Sequence, residues 1–282
     1  LTSINCLVNN FGDDDLATLV TAVEGTSVRS LCGLTEGQTT ADFSGQNLGP
    51  MDCKIMAAEY GFQGFIAALT SMNCLNNPLG EGAQVIIKVF EETPRLRTLC
   101  GLKEGVEQID WSDSGKGPAD VALLAAELKA GRAAAAVARL ILNDNPLTGE
   151  WDSDMDITGI TALCDTLKTS PVTELGLAKC RLGPGSLAKL AEYVREATAA
   201  LNSLKCANNP GMVGDLDIDE DGDLLETPDA HAKVFKELTD NLKTSQVTEV
   251  DFSSCGIGPV ALGHLGEWVR EATAALNEVN VA

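Results

Sequence analysis

The chain has 282 residues, of which 44% are hydrophobic, enough to build a sizeable core and to argue against intrinsic disorder. Its 41 acidic and 20 basic side chains give a formal net charge of −21. This charge argues against binding to nucleic acids or anionic membranes, because both interactions depend on Lys and Arg side chains. It favours metal ions or a basic protein partner instead.

The sequence shows no recognisable targeting segment, and no apolar stretch approaches the ~20 residues of a membrane helix. We therefore expect a soluble, cytoplasmic protein with no membrane span. The first residue is Leu1, and the sequence starts in the middle of a repeating pattern. We therefore also expect it to be part of a longer chain.

Two internal registers organise the sequence. In the first register, LTSINC at Leu1–Cys6 returns as LTSMNC at Leu69–Cys74. In the second register, which has a slightly longer offset, REATAALN starts at Arg195 and again at Arg270. Such self-similarity is the signature of a protein built from stacked structural repeats.

Inside these registers lies a shorter repeat that begins with the pattern L-x-x-L-x-L/C-x-x-N/C. Clear repeats start at Leu1, Leu69, Val137, Val172, Leu201, Val247 and Leu276, and weaker ones at Val28, Gln38, Leu96 and Val106. Residues at positions 1, 4 and 6 alternate, which predicts a short strand with one buried face. Position 9 is either asparagine (Asn9, Asn77, Asn145, Asn209) or cysteine (Cys180, Cys255).

The pattern resembles the leucine-rich repeat family, specifically its ribonuclease-inhibitor-like class, over essentially the whole chain. The resemblance implies an α/β fold, a single solenoid over residues 1–282 with a parallel sheet on its concave face and helices on its convex face. It also implies that position 9 forms a ladder that satisfies backbone groups of adjacent repeats. Apolar spacing in Gly185–Ala199 predicts one of the helices.

Two gaps between repeats are too short for a helix. One separates the repeat starts Val28 and Gln38, and the other separates Leu96 and Val106, which predicts tight turns at residues 35–37 and 103–105 in place of helices. Because a solenoid without polar caps exposes its apolar ends, we expect further repeats or a partner to cover them.

The sequence supplies no catalytic constellation. The nine cysteines fall mainly at strand or ladder positions and contain no C-x-x-C, so we expect reduced core thiols without zinc or a disulfide. His231 and His264 lack a neighbouring nucleophile, and we expect packing or surface roles for them. We expect Trp111, at position 6, to lie in the core, and Trp151, in an acidic loop, to be partly exposed.

The sharpest acidic feature is the insertion Gly214–Glu226, which follows the repeat that starts at Leu201. Its D-x-D-x-D-G pattern from Asp217 matches the first half of an EF-hand loop, but the twelfth position is Pro228 rather than the required Glu, so an EF-hand is rejected. Two readings stay open, a solvated insertion and a simpler Ca²⁺ loop. The calcium ligands in the second reading are Asp217, Asp219, Asp221 and Asp223.

A second, shorter insertion carries Glu150, Asp152, Asp154 and Asp156. Equivalent points of earlier repeats carry Asp13, Asp14, Asp15 and Glu81. Because equivalent loops of stacked repeats lie along one edge, the sequence predicts an acidic rim.

Our leading hypothesis is a non-enzymatic protein-interaction scaffold that binds a partner through the sheet face and the acidic rim, with membership of a multi-subunit complex as one form of it. One alternative is a GTPase-activating regulator similar to the Ran GTPase activator, although no arginine matches its catalytic residue. The other alternative is the Asp-rich calcium-binding protein.

Overall fold

The computed structural model describes residues 1–198, 201–218 and 224–281. It is an α/β protein with a six-stranded parallel sheet, so the predicted fold class is confirmed at this level. The chain divides into two compact units, an N-terminal unit (Leu1–Glu104 with Ala130–Ala133) and a C-terminal unit (Gly105–Lys129 with Ala134–Ala282). The single solenoid over residues 1–282 stays a prediction.

The N-terminal unit alternates helices with very short strands. In chain order its elements are α1 (Asp13–Val23), β1 (Thr40–Asp42), α2 (Pro50–Gly61), a 3-10 helix (Phe65–Ala68), β2 (Ser71–Asn73) and α3 (Gly82–Glu92). Strands β1 and β2 pair in parallel, with Ala41 opposite Met72. The predicted repeats at Leu1, Val28 and Leu96 form isolated bridges in place of full strands, such as Ser3 with Ser30.

The C-terminal unit contains the larger sheet. Its elements are β3 (Gln108–Asp110), α4 (Pro118–Ala130), β4 (Arg139–Ile141), α5 (Thr158–Leu167), β5 (Glu174–Gly176), α6 (Pro184–Glu196), β6 (Ser203–Lys205), β7 (Asp215–Ile218), β8 (Leu224–Thr227), α7 (Ala232–Leu242), β9 (Glu249–Asp251), α8 (Pro259–Glu271) and β10 (Glu278–Asn280). The parallel sheet has the order β10-β9-β6-β5-β4-β3, and β7 pairs with β8 as a separate antiparallel hairpin. No helix in the described ranges is long and apolar enough to cross a membrane.

Each strand of the parallel sheet begins two residues after a predicted repeat start, so the same motif position is always central. Leu140 faces Leu175, and Leu175 faces Leu204, all at position 4. Positions 1 and 6 flank them in the core, where Val172 and Leu177 are buried. This shared register follows from burial, because a slip by one residue would move every apolar side chain to the opposite face.

Helix α6 confirms the helix predicted over Gly185–Ala199, with a shorter C-terminal end. It begins at Pro184, whose fixed φ suits the first helical position, and ends at Glu196, since Ala197 is extended (φ −60°, ψ 127°). Leu187, Leu190 and Tyr193 are buried on its inner face.

Ion pairs between neighbouring helices also repeat with the offset of the second register. Lys168 Nζ lies 2.8 Å from Asp165 Oδ1 and 3.0 Å from Glu196 Oε2, and so joins α5 to the end of α6. The same trio of ion-paired side chains recurs as Asp240, Lys243 and Glu271. The repetition therefore extends from the core motif to the surface.

The helix-less turns are confirmed. Gly37 (φ +80°) closes the first turn, where Gln38 N–H donates to the Thr35 carbonyl oxygen at 3.2 Å, and Gly105 (φ +78°) closes the second. The positive φ at both positions favours glycine.

A buried carboxyl side chain binds the backbone of the first of these helix-less segments. Glu59 of α2 is fully buried, and its Oε2 accepts from Leu31 N–H at 2.7 Å and from Cys32 N–H and Ser30 Oγ–H, each at 3.1 Å. Its Oε1 accepts from Ile66 N–H at 2.9 Å. One buried side chain therefore accepts from three backbone N–H groups and one hydroxyl.

Candidate functional site

The position-9 ladder forms the base of the candidate site. Asn209 Oδ1 accepts from Cys180 N–H at 2.9 Å, and Asn209 Nδ2 donates to the Leu177 and Cys206 carbonyl oxygens at 2.9 and 2.7 Å. Cys180 in turn donates its thiol to the Leu142 carbonyl oxygen of the preceding repeat. The predicted ladder is confirmed by these contacts and by those of Asn77, Asn145 and Cys255.

Asn9 differs from the other ladder residues. Its side chain is exposed and, among the residues that the structure describes, donates only to the Cys6 and Leu7 carbonyl oxygens within its own repeat, at 2.9 and 3.2 Å.

All nine cysteines are free, and eight of them are buried. Burial raises the pKa of Cys180 to about 12, which leaves its thiol protonated at neutral pH. The predicted core location is confirmed for these eight thiols, which serve as packing and ladder groups.

The face of the six-stranded sheet opposite the core presents two rows of side chains, at positions 3 and 5. Position 3 carries Gln108, Arg139, Glu174, Ser203, Glu249 and Glu278, and position 5 carries Asp110, Ile141, Gly176, Lys205, Asp251 and Asn280. We call these two rows the sheet face. Five carboxylates and two cations lie on it, so acidic groups predominate.

Local contacts fix the acidic groups of the sheet face. Arg139 Nε donates to Glu174 Oε2 at 2.9 Å across two neighbouring strands. Asp110 accepts from the hydroxyl and the backbone N–H of Ser112 at 2.7 and 3.1 Å, and these bonds lower the pKa of Asp110. Asp110 is therefore held ionised, and both Asp110 and Glu174 are held in place by their neighbours.

The insertion after β4 forms an ordered loop against the next repeat. Thr148 Oγ donates to the Arg181 carbonyl oxygen at 2.6 Å, and Arg181 Nη1 donates to the Trp151 carbonyl oxygen at 2.9 Å. Asp156 N–H returns to the Thr148 carbonyl oxygen at 2.8 Å. Trp151 sits at the tip of this loop with 79% of its surface exposed, which confirms the predicted exposure.

One predicted member of the acidic rim is a structural group. Asp154 lies at the N-terminus of α6, where its carboxylate accepts from the backbone N–H groups of Gly183, Gly185 and Ser186 at 2.9, 2.7 and 3.0 Å. A Cβ on Gly183 would lie 2.7 Å from Asp154 Oδ2, so this close approach requires glycine. The carboxylate caps the helix from a preceding loop and complements its dipole.

The same device recurs at α8, at the equivalent point of the second register. Asp229 accepts from the N–H groups of Gly258, Val260 and Ala261 at 2.9, 2.8 and 2.9 Å. Burial alone raises the pKa of Asp229, but the three backbone donors outweigh it and leave the pKa below its usual value. The sequence signal was that both the Asp and the Gly repeat with the offset of the second register.

A cavity of about 500 Å³ opens between the inserted loop and the ladder. It is lined by Asp113, Asp144, Asn145, Pro146, Glu150, Trp151, Lys179 and Arg181, and we call it the Trp151 pocket. Its lining comes from three successive repeats. Of the predicted rim residues, Glu150 lines this pocket; Asp113 and Asp144, which the sequence pattern did not single out, lie beside it.

Other members of the predicted rim lie on helices of the N-terminal unit. Asp13, Asp14 and Asp15 form the first turn of α1 rather than a loop, where they suit the positive end of the helix dipole. Glu81 is the N-cap residue of α3.

The larger insertion forms the β7–β8 hairpin, in which Asp215 pairs with Thr227 and Asp217 with Leu225. Three of the proposed calcium ligands, Asp219, Asp221 and Asp223, lie outside the described residues. Within the ranges that the structure covers, no group of three or more His, Cys, Asp or Glu residues is placed to hold a metal ion. The calcium site therefore stays a prediction.

The prediction that Trp111 lies in the core is wrong. Trp111 is half-buried rather than a core residue, and the ammonium of Lys116 lies 5.6 Å from its ring centroid. The aligned side chains Phe43 and Phe252 are buried. An indole is larger than a phenyl ring, and a cation over its face stabilises the exposed part.

The two histidines are half-buried and lie on different elements. His231 precedes the first residue of α7, and its backbone N–H donates to the Val213 carbonyl oxygen at 2.8 Å. His264 lies within α8.

The chain matches no family model, and a search of curated proteins finds none similar to it. What the protein does has therefore to follow from its own geometry and chemistry.

Proposed function

We propose that this protein is a leucine-rich repeat protein of the ribonuclease-inhibitor-like class that acts as a non-enzymatic protein-interaction scaffold. Three features support the family: the recurring motif, the parallel strands that share one register, and the alternating Asn and Cys ladder. Stacked repeats of this kind offer extended surfaces for binding other proteins.

The observation that carries the proposed binding role is the two aligned rows of the sheet face. Strand pairing places side chains of neighbouring repeats opposite one another, as in Glu249 beside Glu278. A partner that lies across the strands would meet a rigid, regularly spaced surface. Its carboxylates, together with the overall charge of −21, suit a basic partner.

Membership of a larger assembly is a form of the same proposal. Helix α8 exposes Val260, Leu262 and Val269, each by about half. Leu262 and Val269 are two helical turns apart on one face of α8, whereas Val260 lies on the opposite side, and exposed apolar side chains on one face favour protein contact.

Charge reversal on the sheet face tests the proposal. A Glu249→Lys/Glu278→Lys variant should lose proteins that the wild-type chain captures from cells that express it, as measured by quantitative affinity purification. The matched control is Glu92→Lys/Glu237→Lys, which makes the same change in net charge on α3 and α7. Retention of the whole captured set by the sheet-face variant, or equal losses in both variants, would contradict the proposal.

A further inference from the structure

We infer that the Trp151 pocket is a receptor for one arginine side chain of the protein partner. This inference rests on the proposed function and deepens it, because it assigns a specific recognition element to the pocket at the edge of the sheet. The guanidinium would stack on the Trp151 indole while its N–H groups donate to the carboxylates of Asp113 and Glu150.

The pocket is built by the repeat rather than by chance contacts of one loop. Asp113, Asp144 and Lys179 occupy position 8 of three successive repeats, and all three have left-handed φ values of 50°, 56° and 53°. Such φ values are unusual for residues other than glycine. The shared conformation places these side chains at equivalent points of the lining.

The loop holds Trp151 in an exposed position. Arg181 anchors it twice, by its guanidinium on the Trp151 carbonyl oxygen and by its own carbonyl oxygen, which accepts from Thr148 Oγ–H. A large indole held away from the core forgoes the stabilisation that burial provides. Tryptophan is also among the residue types that dominate binding energy at protein interfaces.

The charges of the pocket favour a cation. Lys179 Nζ lies 3.1 Å from Asp144 Oδ1, so these two charges offset each other. Within the described part of the chain, Asp113 and Glu150 form no ion pair. Arg181 keeps its positive charge while it donates to the Trp151 carbonyl oxygen, so three acidic and two basic side chains leave the lining with a formal charge of −1, in a molecule whose overall charge is strongly negative.

Among cations, arginine fits this arrangement best. Its planar guanidinium stacks on an aromatic face and presents several donors in a fixed fork, which matches carboxylate oxygens. A lysine ammonium is a compact, strongly hydrated charge that lacks both properties. A cavity of about 500 Å³ accommodates the long side chain and the backbone that carries it.

Nuclear magnetic resonance of the three tryptophan indole N–H groups tests the inference on the full chain. The probes are Gly/Ser-rich peptides that differ only at one central residue, which is arginine, citrulline, lysine or glutamate. Citrulline keeps the shape of arginine and removes its charge. The Trp151 signal, assigned with a Trp151→Phe variant, should shift with the arginine peptide, while citrulline weakens binding about tenfold or more.

Pocket variants sharpen the same measurement. Trp151→Leu keeps an apolar side chain without a π face and should weaken the arginine peptide about fivefold. Asp113→Asn/Glu150→Gln should weaken it about tenfold or more, whereas Glu92→Gln/Glu237→Gln, two exposed carboxylates on α3 and α7, should leave it unchanged. All three pocket side chains lie at the surface, so the variants should fold, which amide spectra will verify.

Three results would overturn the inference: equal binding of the arginine and citrulline peptides, preference for the glutamate peptide, or no response of Trp151 at millimolar peptide. If the inference fails while sheet-face charge reversal still removes captured proteins, the proposed function stands without it. If charge reversal removes nothing while the arginine peptide binds, the sheet-face proposal fails and the pocket alone carries recognition.

Discussion

At the scale of single residues, the acidic side chains divide into structural and available groups. Asp154 and Asp229 each satisfy three backbone N–H groups at the start of a helix, although both belong to preceding loops. Glu150 lies in the same loop as Asp154 and lines the Trp151 pocket. The position of a carboxylate in the sequence therefore does not show whether it is available to bind a partner. Its hydrogen bonds within the protein show this.

Removal of the Asp154 cap should destabilise the protein. Asp154→Ala leaves several N–H groups at the α6 N-terminus without their acceptor, and we expect a loss of about 1–2 kcal/mol in the free energy of unfolding, measured by urea denaturation. Asp152→Ala, two residues earlier in the same loop, is the control and should change little. Equal effects of the two substitutions would show that Asp154 does not cap the helix.

The Asp229 cap makes a pH-dependent prediction. Because its folded pKa lies below the unfolded value of 3.8, Asp229 stabilises the protein above that value and loses this contribution as pH falls through the folded pKa. Asp229→Asn should therefore destabilise the protein at neutral pH. The difference from wild type should shrink below about pH 3.8 in thermal unfolding measured across pH. A difference that stays constant into acid would contradict this assignment.

At the scale of elements, the motif predicts where strands lie and says little about what replaces a missing helix. Strand starts follow from positions 1, 4 and 6, since burial leaves only one register, and the turns at Gly37 and Gly105 follow from repeat spacing. Glu59 was not predicted, because a single Glu within a helix looks like a surface residue. Its signal was Glu127, the equivalent residue in the first register, which is also buried.

The β7–β8 hairpin was also missed. Its acidic residues favour a metal-binding interpretation, although the alternation of acidic and apolar residues in DLDI is typical of a strand. The Trp151 pocket combines residues from three repeats, and only the exposed Trp151 and the acidic edge could be predicted from the sequence. The inter-repeat anchoring by Arg181 depends on tertiary contacts that no local pattern encodes.

Glu59 provides the element-scale prediction. Glu59→Gln replaces one acceptor oxygen with an amide donor that faces other donors, so we expect a loss of about 3 kcal/mol in unfolding free energy. Urea denaturation followed by circular dichroism measures it, and Glu36→Gln, at the exposed turn of the same segment, is the control. An unchanged denaturation midpoint for Glu59→Gln would contradict the role of this carboxylate.

At the scale of the whole molecule, the net charge of −21 determines how the protein associates with a charged partner. Part of that charge lies on the sheet face and around the Trp151 pocket, and part stabilises helix ends. If a basic partner binds through these carboxylates, salt should weaken the complex by screening the attraction.

We therefore expect captured partners to dissociate as salt rises from about 0.05 to about 0.5 M, over which the screening length falls several-fold. Quantitative affinity purification at stepped salt concentrations measures this. Mild non-ionic detergent at constant low salt is the control and should leave the complex in place. Retention in high salt with loss in detergent would indicate an apolar interface, such as the exposed surface of α8, instead of the sheet face.

Site-specific photo-crosslinking in living cells tests the central claim most directly. A benzoylphenylalanine placed at Lys205, within the sheet face, should form adducts of higher mass with a partner protein, whereas the same group at Lys233, on α7, should not. Adducts from position 233 alone, or at equal yield from both positions, would contradict the assignment of the sheet face as the binding surface.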